Sequence, residues 1–136
     1  MTALTQDRNT LRREGLAMEP PVAAATKIYG GSIVAINAAG YAVPGATATT
    51  LKSAGVAEHR ADNSAGAAGD IRVRVRKGPH VFANSAAADA IALTDIGADC
   101  YIVDDQTVAK TNGTNTRSVA GKVFDVDAGG VWVNFL

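Results

Sequence analysis

Three arginines occupy every second position of one short segment: Arg72, Arg74 and Arg76. The residues between them are apolar, so the segment 70–78 alternates between apolar and cationic side chains. This period of two predicts a half-buried strand with a row of guanidinium groups on its outer face. Guanidinium groups bind carboxylates and phosphates through paired hydrogen bonds, so the row predicts a negatively charged partner surface. The alternative is that the arginines keep an exposed strand soluble and prevent edge-to-edge pairing.

The cysteine and the histidines are the other candidates for chemistry. Cys100 is the single cysteine, so it cannot form an internal disulfide or a multi-cysteine metal site. It lies in the apolar run 100–103, which predicts a small buried side chain. A catalytic thiol needs a neighbouring base, and nothing in the sequence places His59 or His80 beside it.

The acidic and glycine-rich clusters indicate turns. Residues 104–105 and 125–127 supply carboxylates, but neither cluster has the ligand spacing of a calcium loop. Aspartate commonly stabilises turns through its own side chain, which explains both clusters. The chain also lacks the Gly-x-Ser-x-Gly pattern of a serine hydrolase. We therefore expect no enzymatic activity and no catalytic, cofactor-binding or metal-binding residues.

Composition limits the class of protein. A chain of 136 residues suits one domain, and equal numbers of positive and negative residues, 13 each, argue against a general nucleic-acid binder. No stretch approaches the length of a membrane span, and the N-terminal residues lack the apolar core of a signal peptide. We expect a protein made in a cytoplasm, with no membrane and no direct nucleic-acid partner.

Short apolar segments separated by Gly, Pro, Asn and Asp must position these residues. The predicted strands are 26–29, 32–37, 41–43, 52–60, 70–77, 80–84, 98–103, 106–110, 119–126 and 131–135. The last two form a hairpin, and only residues 85–93 favour a helical turn. This pattern predicts an all-β fold, a small barrel or sandwich of short antiparallel strands with at most one short helix. Because aromatic residues make up only 5% of the chain, we expect Trp132 to be in the core.

The N-terminal segment differs from the rest. Residues 1–21 combine scattered leucines with charged residues and end at two prolines, whereas the β-rich body spans residues 22–136. We interpret 1–21 as an extended arm that becomes ordered on a partner. Its arginines, Arg8, Arg12 and Arg13, are candidate contact residues. The alternatives are an N-terminus that is simply frayed and a short amphipathic helix, which Gly15 disfavours.

A series of strand and turn patterns along the body resembles one protein family. The patterns are GYAVP at 40–44, GVAE at 55–58, VRVRKG at 73–78, YIVDDQTV at 101–108, GKVFDVD at 121–127 and VWV at 131–133. They resemble the capsid decoration, or cement, proteins of tailed bacteriophages and prophages. The resemblance implies a β-rich body on the outer surface of the phage head, made in the bacterial host cytoplasm. It also implies trimers or dimers that bind the major capsid protein where capsomers meet and stiffen the shell.

On this interpretation the six arginines named above contact the capsid or a neighbouring subunit. Two other interpretations stay open. One is a small β-barrel enzyme or ligand-binding domain, which predicts a deep polar pocket. The other is a structural subunit of a phage tail or fibre.

Overall fold

The computed structural model describes residues 2–136, so the first residue of the predicted arm lies outside it. The predicted all-β class is confirmed, because twelve short strands and two 3-10 turns make up the regular structure of these residues. The strands are β1 (Ala17–Met18), β2 (Thr26–Ile28), β3 (Ile33–Ile36), β4 (Ala42–Pro44), β5 (Lys52–Ala57), β6 (Ala61–Asn63), β7 (Val75–Arg76), β8 (Gly78–Asn84), β9 (Asp99–Ile102), β10 (Thr107–Ala109), β11 (Val119–Asp127) and β12 (Gly130–Phe135). The 3-10 turns are Ala87–Asp89 and Leu93–Asp95.

The strands form three units. A five-stranded antiparallel sheet has the order β1-β7-β5-β3-β4, and β2 pairs with β6 in a two-stranded sheet. The remaining strands close a barrel in the order β10-β8-β12-β11-β9. The barrel is antiparallel except where β10 runs parallel to β8.

The core has two parts that meet at β3. Ile33 and Ala35 pack with the barrel interior, where Val131 and Val133 are fully buried. Val34 points the other way, into a second cluster that the five-stranded and two-stranded sheets build together. Because β3 is buried on both faces, it reads as an uninterrupted apolar run rather than as an alternating strand.

The terminal hairpin β11–β12 is part of the barrel as predicted, but the expectation that Trp132 is in the core is wrong. Alternation along β12 buries Val131 and Val133, so Trp132 lies half-buried on the outer face. Its indole N–H donates a hydrogen bond of 2.9 Å to Asp127 Oδ2, which satisfies the polar end of the ring. The alternation of β12 determines which face Trp132 occupies, and the large size of its side chain does not change that.

The segment with three arginines is extended, but it is not one continuous strand. Its burial alternates as predicted, with Val73 and Val75 fully buried. Only Val75–Arg76 forms a regular strand, and Arg72 makes an isolated bridge to Pro21. Residues 17–21 of the same chain run alongside this segment and end in two prolines. Prolines lack the N–H groups that a regular ladder requires.

Candidate interaction surface at the arginine row

We call Arg72, Arg74 and Arg76 the arginine row, and residues 16–21 the arm root. The arm root lies against the segment that carries the row. Lys77 N–H donates to Leu16 O at 2.8 Å, and Val73 N–H donates to Pro20 O at 3.2 Å. The end of the predicted arm is therefore hydrogen-bonded to the body.

Two side chains of the arginine row hold Glu19 of the arm root. Arg72 Nη1 donates to the backbone carbonyl of Glu19 at 2.7 Å. Arg74 Nε donates to the Glu19 carboxylate at 3.1 Å. The row thus fixes the point from which the arm leaves the body.

Glu58, just after β5, is the second carboxylate of this surface. Arg76 Nε donates to Glu58 Oε1 at 2.6 Å, and Arg74 Nε lies 3.7 Å from Glu58 Oε2. The hydrogen bond from Arg76, with the charges of Arg76 and Arg74, lowers the pKa of Glu58 below its ordinary value. The row therefore meets negative charge within its own chain.

His59 continues the contact between β5 and the row through its side chain. Its Nε2 accepts the backbone N–H of Arg74 at 3.0 Å, and its Nδ1 lies 2.9 Å from Arg60 O. Because a carbonyl only accepts, these two contacts fit the tautomer that carries its proton on Nδ1. The ring takes the place of a backbone acceptor where the β5–β7 ladder ends.

Glu58, His59 and two members of the row, Arg74 and Arg76, line an open cleft of about 680 Å³. His80 lines the same cleft. The structure therefore brings both histidines to one cleft, but Cys100 is not among its lining residues. Cys100 is fully buried in the barrel core, as predicted, and this burial raises the pKa of its thiol to about 11. The thiol is neutral and inaccessible, which is the opposite of what a nucleophile needs.

The three arginines of the arm form no ion pair with this network. Residues 2–15 are exposed and form no strand or helix, and Leu4 and Leu11 are 72% and 87% exposed. In the described part of the chain, no carboxylate lies within ion-pair distance of Arg8, Arg12 or Arg13. Arg13 lines a shallow groove with Arg72, whereas Arg8 and Arg12 lie further along the arm.

Sequence reasoning missed Glu19, Glu58 and His59. Glu19 precedes two prolines, and Glu58 and His59 are consecutive residues at the end of a predicted strand, where no chemical motif indicates a contact with the row. Their role depends on the pairing of the row with both β1 and β5, which alternation along one segment does not specify. The equal numbers of acidic and basic residues were the one available signal that carboxylates within the chain neutralise the row.

Comparison of the chain with protein-family models, curated proteins and solved structures gave no match. Among residues 2–136, no group of three or more His, Cys, Asp or Glu side chains is arranged to hold a metal ion. No helix in the same range has the length and apolar character needed to cross a membrane.

Proposed function

We propose that this protein is a structural virion protein that decorates the outside of a tailed-phage head and stabilises its shell. Its partner is the major capsid protein, and it acts as a homo-oligomer of three or two copies. The observation that carries this proposal is an exposed arm with leucines and arginines that leaves from a root fixed to a β-rich body.

The fixed root favours binding through the arm. A flexible segment loses conformational entropy when it becomes ordered on a partner, and this loss weakens binding. Here residues 16–21 are already held by backbone hydrogen bonds and by the arginine row, so only residues 2–15 remain to be ordered. Weak contacts of this kind add up when many copies bind a symmetric lattice.

The arginine row also retains hydrogen-bonding capacity for a partner. Each guanidinium group carries five N–H donors, and the contacts with Glu19 and Glu58 use few of them. The side chains of Arg74 and Arg76 are 58% and 51% exposed. A carboxylate of the capsid protein can therefore bind the row without displacing either glutamate.

Co-sedimentation with expanded empty heads that lack the protein tests the proposal. We expect saturable binding of the wild-type chain, and heads that carry it should withstand a higher temperature before they rupture. Replacing Arg8, Arg12 and Arg13 with Ser should weaken binding, whereas Arg60→Gln is a matched control because Arg60 lies in neither the arm nor the row. Binding to isolated tails but not to heads would support the tail or fibre interpretation, and binding to neither would contradict a virion role.

A further inference from the structure

Large apolar side chains are exposed on the outside of the barrel, where β8, β12 and β11 lie side by side. Val81 pairs with Trp132, and both point outward because the residues on either side along β12 are buried. Phe124 is the extra residue of a bulge in β11 and is 56% exposed, although the chain has only three phenylalanines. A cluster of exposed apolar side chains is typical of a contact site.

The turn that follows the second 3-10 element extends this surface. Gly97 N–H donates to Val123 O at 2.9 Å, so the turn lies beside the bulge in β11. Leu93 and Ile96, which precede that contact, are both exposed. We call Val81, Phe124 and Trp132 the barrel-wall patch, and Leu93 and Ile96 are two further exposed apolar residues of the turn beside it.

Negative charge without a cationic partner borders the barrel-wall patch. Asp125 pairs with Trp132 across the ladder, and Asp127 accepts the Trp132 indole N–H. Neither carboxylate has a cation within ion-pair distance in residues 2–136, whereas the nearby Asp99 pairs with Lys122 at 2.6 Å. The patch is therefore apolar at its centre and anionic at its edge.

The arm carries the complementary chemistry. Leu4 and Leu11 are exposed, and the three arginines of residues 2–15 outnumber the two carboxylates of the same segment, Asp7 and Glu14. Leucine side chains can cover exposed rings. Arginine can bind carboxylates and also stack on the face of a tryptophan.

We propose that the arm of one copy docks on the barrel-wall patch of a second copy of this chain. Its leucines cover Phe124 and Trp132, and its arginines reach Asp125 and Asp127. Within one chain the arm leaves from β1, at the edge of the five-stranded sheet, and both the arm and the patch are exposed. Reciprocal exchange buries both surfaces in every copy and closes a symmetric oligomer. These contacts form between copies in solution without a phage head, and on a head the arm exchanges them for the capsid protein.

Disulfide trapping between two full-length variants tests the contact. Leu11→Cys and Phe124→Cys chains are mixed and treated with diamide, which accepts the two electrons and two protons released when the thiols join. Cys100 does not interfere because it is buried. We expect linked peptides joining positions 11 and 124, and at least about tenfold less product when Tyr29→Cys replaces Phe124→Cys. Tyr29 is a matched control because it is also exposed but lies outside the barrel.

Equal yields from the two mixtures, or no product from either, would overturn the proposal. It would also be overturned if a chain carrying both Leu11→Cys and Phe124→Cys formed only an internal disulfide, since the arm would then dock on its own barrel. Sedimentation equilibrium without heads provides a second measurement. We expect the Arg8→Ser/Arg12→Ser/Arg13→Ser variant to self-associate about tenfold or more weakly than wild type, and Arg60→Gln to match wild type. A wild-type chain that stays monomeric at high concentration would contradict the proposal.

Discussion

Cys100 shows how one residue's surroundings decide its chemistry. Burial in the barrel core raises the pKa of its thiol to about 11, so almost no thiolate forms near neutral pH. We predict that native protein at about pH 8 fails to react with a disulfide reagent such as DTNB. In guanidinium chloride the same chain should release about one equivalent of the coloured thiolate. Fast reaction of the native chain would show that the barrel opens readily around this residue.

Trp132 and Val133 are adjacent on β12 but face opposite sides of the barrel wall. Val133 is fully buried, and Trp132 is half-buried with its N–H bonded to Asp127. We predict that Val133→Ala lowers the free energy of unfolding by about 2–4 kcal/mol because it leaves a cavity. Trp132→Ala should cost about 1–2 kcal/mol, since its site borders solvent. Urea unfolding of both variants measures the difference, and a larger loss for the tryptophan variant would contradict this assignment.

At the scale of elements, the arginine row joins the arm root to the end of β5. We predict that replacing Arg72 and Arg74 with Gln loosens this junction and leaves the melting temperature nearly unchanged, because exposed ion pairs contribute little to stability. Amide exchange should accelerate at Val73 and Lys77, whose N–H groups bond to the arm root. Arg60→Gln is the matched control. Unchanged exchange at both amides would show that the backbone bonds alone hold the root.

Local pattern predicted most of these elements but not their partners. The hairpin of β11 and β12 followed from two alternating runs around a turn, and the confirmed all-β class followed from many such runs. β6 is not among the predicted strands, because Ala61–Asn63 has no apolar alternation and is a strand only through its pairing with β2. The contacts of Glu19, Glu58 and His59 with the row depend on pairings between distant segments. Residues 58 and 74, for example, meet only because β5 pairs with β7.

At the scale of the whole molecule, β3 links the barrel to the rest of the body. Ile33 and Val34 are consecutive residues, yet the first packs with the barrel core and the second with the cluster that the five-stranded and two-stranded sheets build. A substitution that loosens the packing of one cluster therefore also affects β3, and β3 contributes side chains to the other cluster. This arrangement favours a single cooperative unit, and β5 adds to it because Val56 packs in the first cluster whereas Ala54 and Ala57 pack in the second.

Val34→Ala tests whether the two clusters unfold together. The change removes apolar contacts from the second cluster, to which Val34 belongs, whereas Trp132 fluorescence reports on the barrel. We predict one urea transition, with the fluorescence midpoint lowered as much as the midpoint followed by circular dichroism. Val131→Ala, which damages the barrel core directly, should lower both midpoints together in the same way. A fluorescence midpoint that stays at the wild-type value in Val34→Ala, with a biphasic dichroism curve, would show that the barrel unfolds independently.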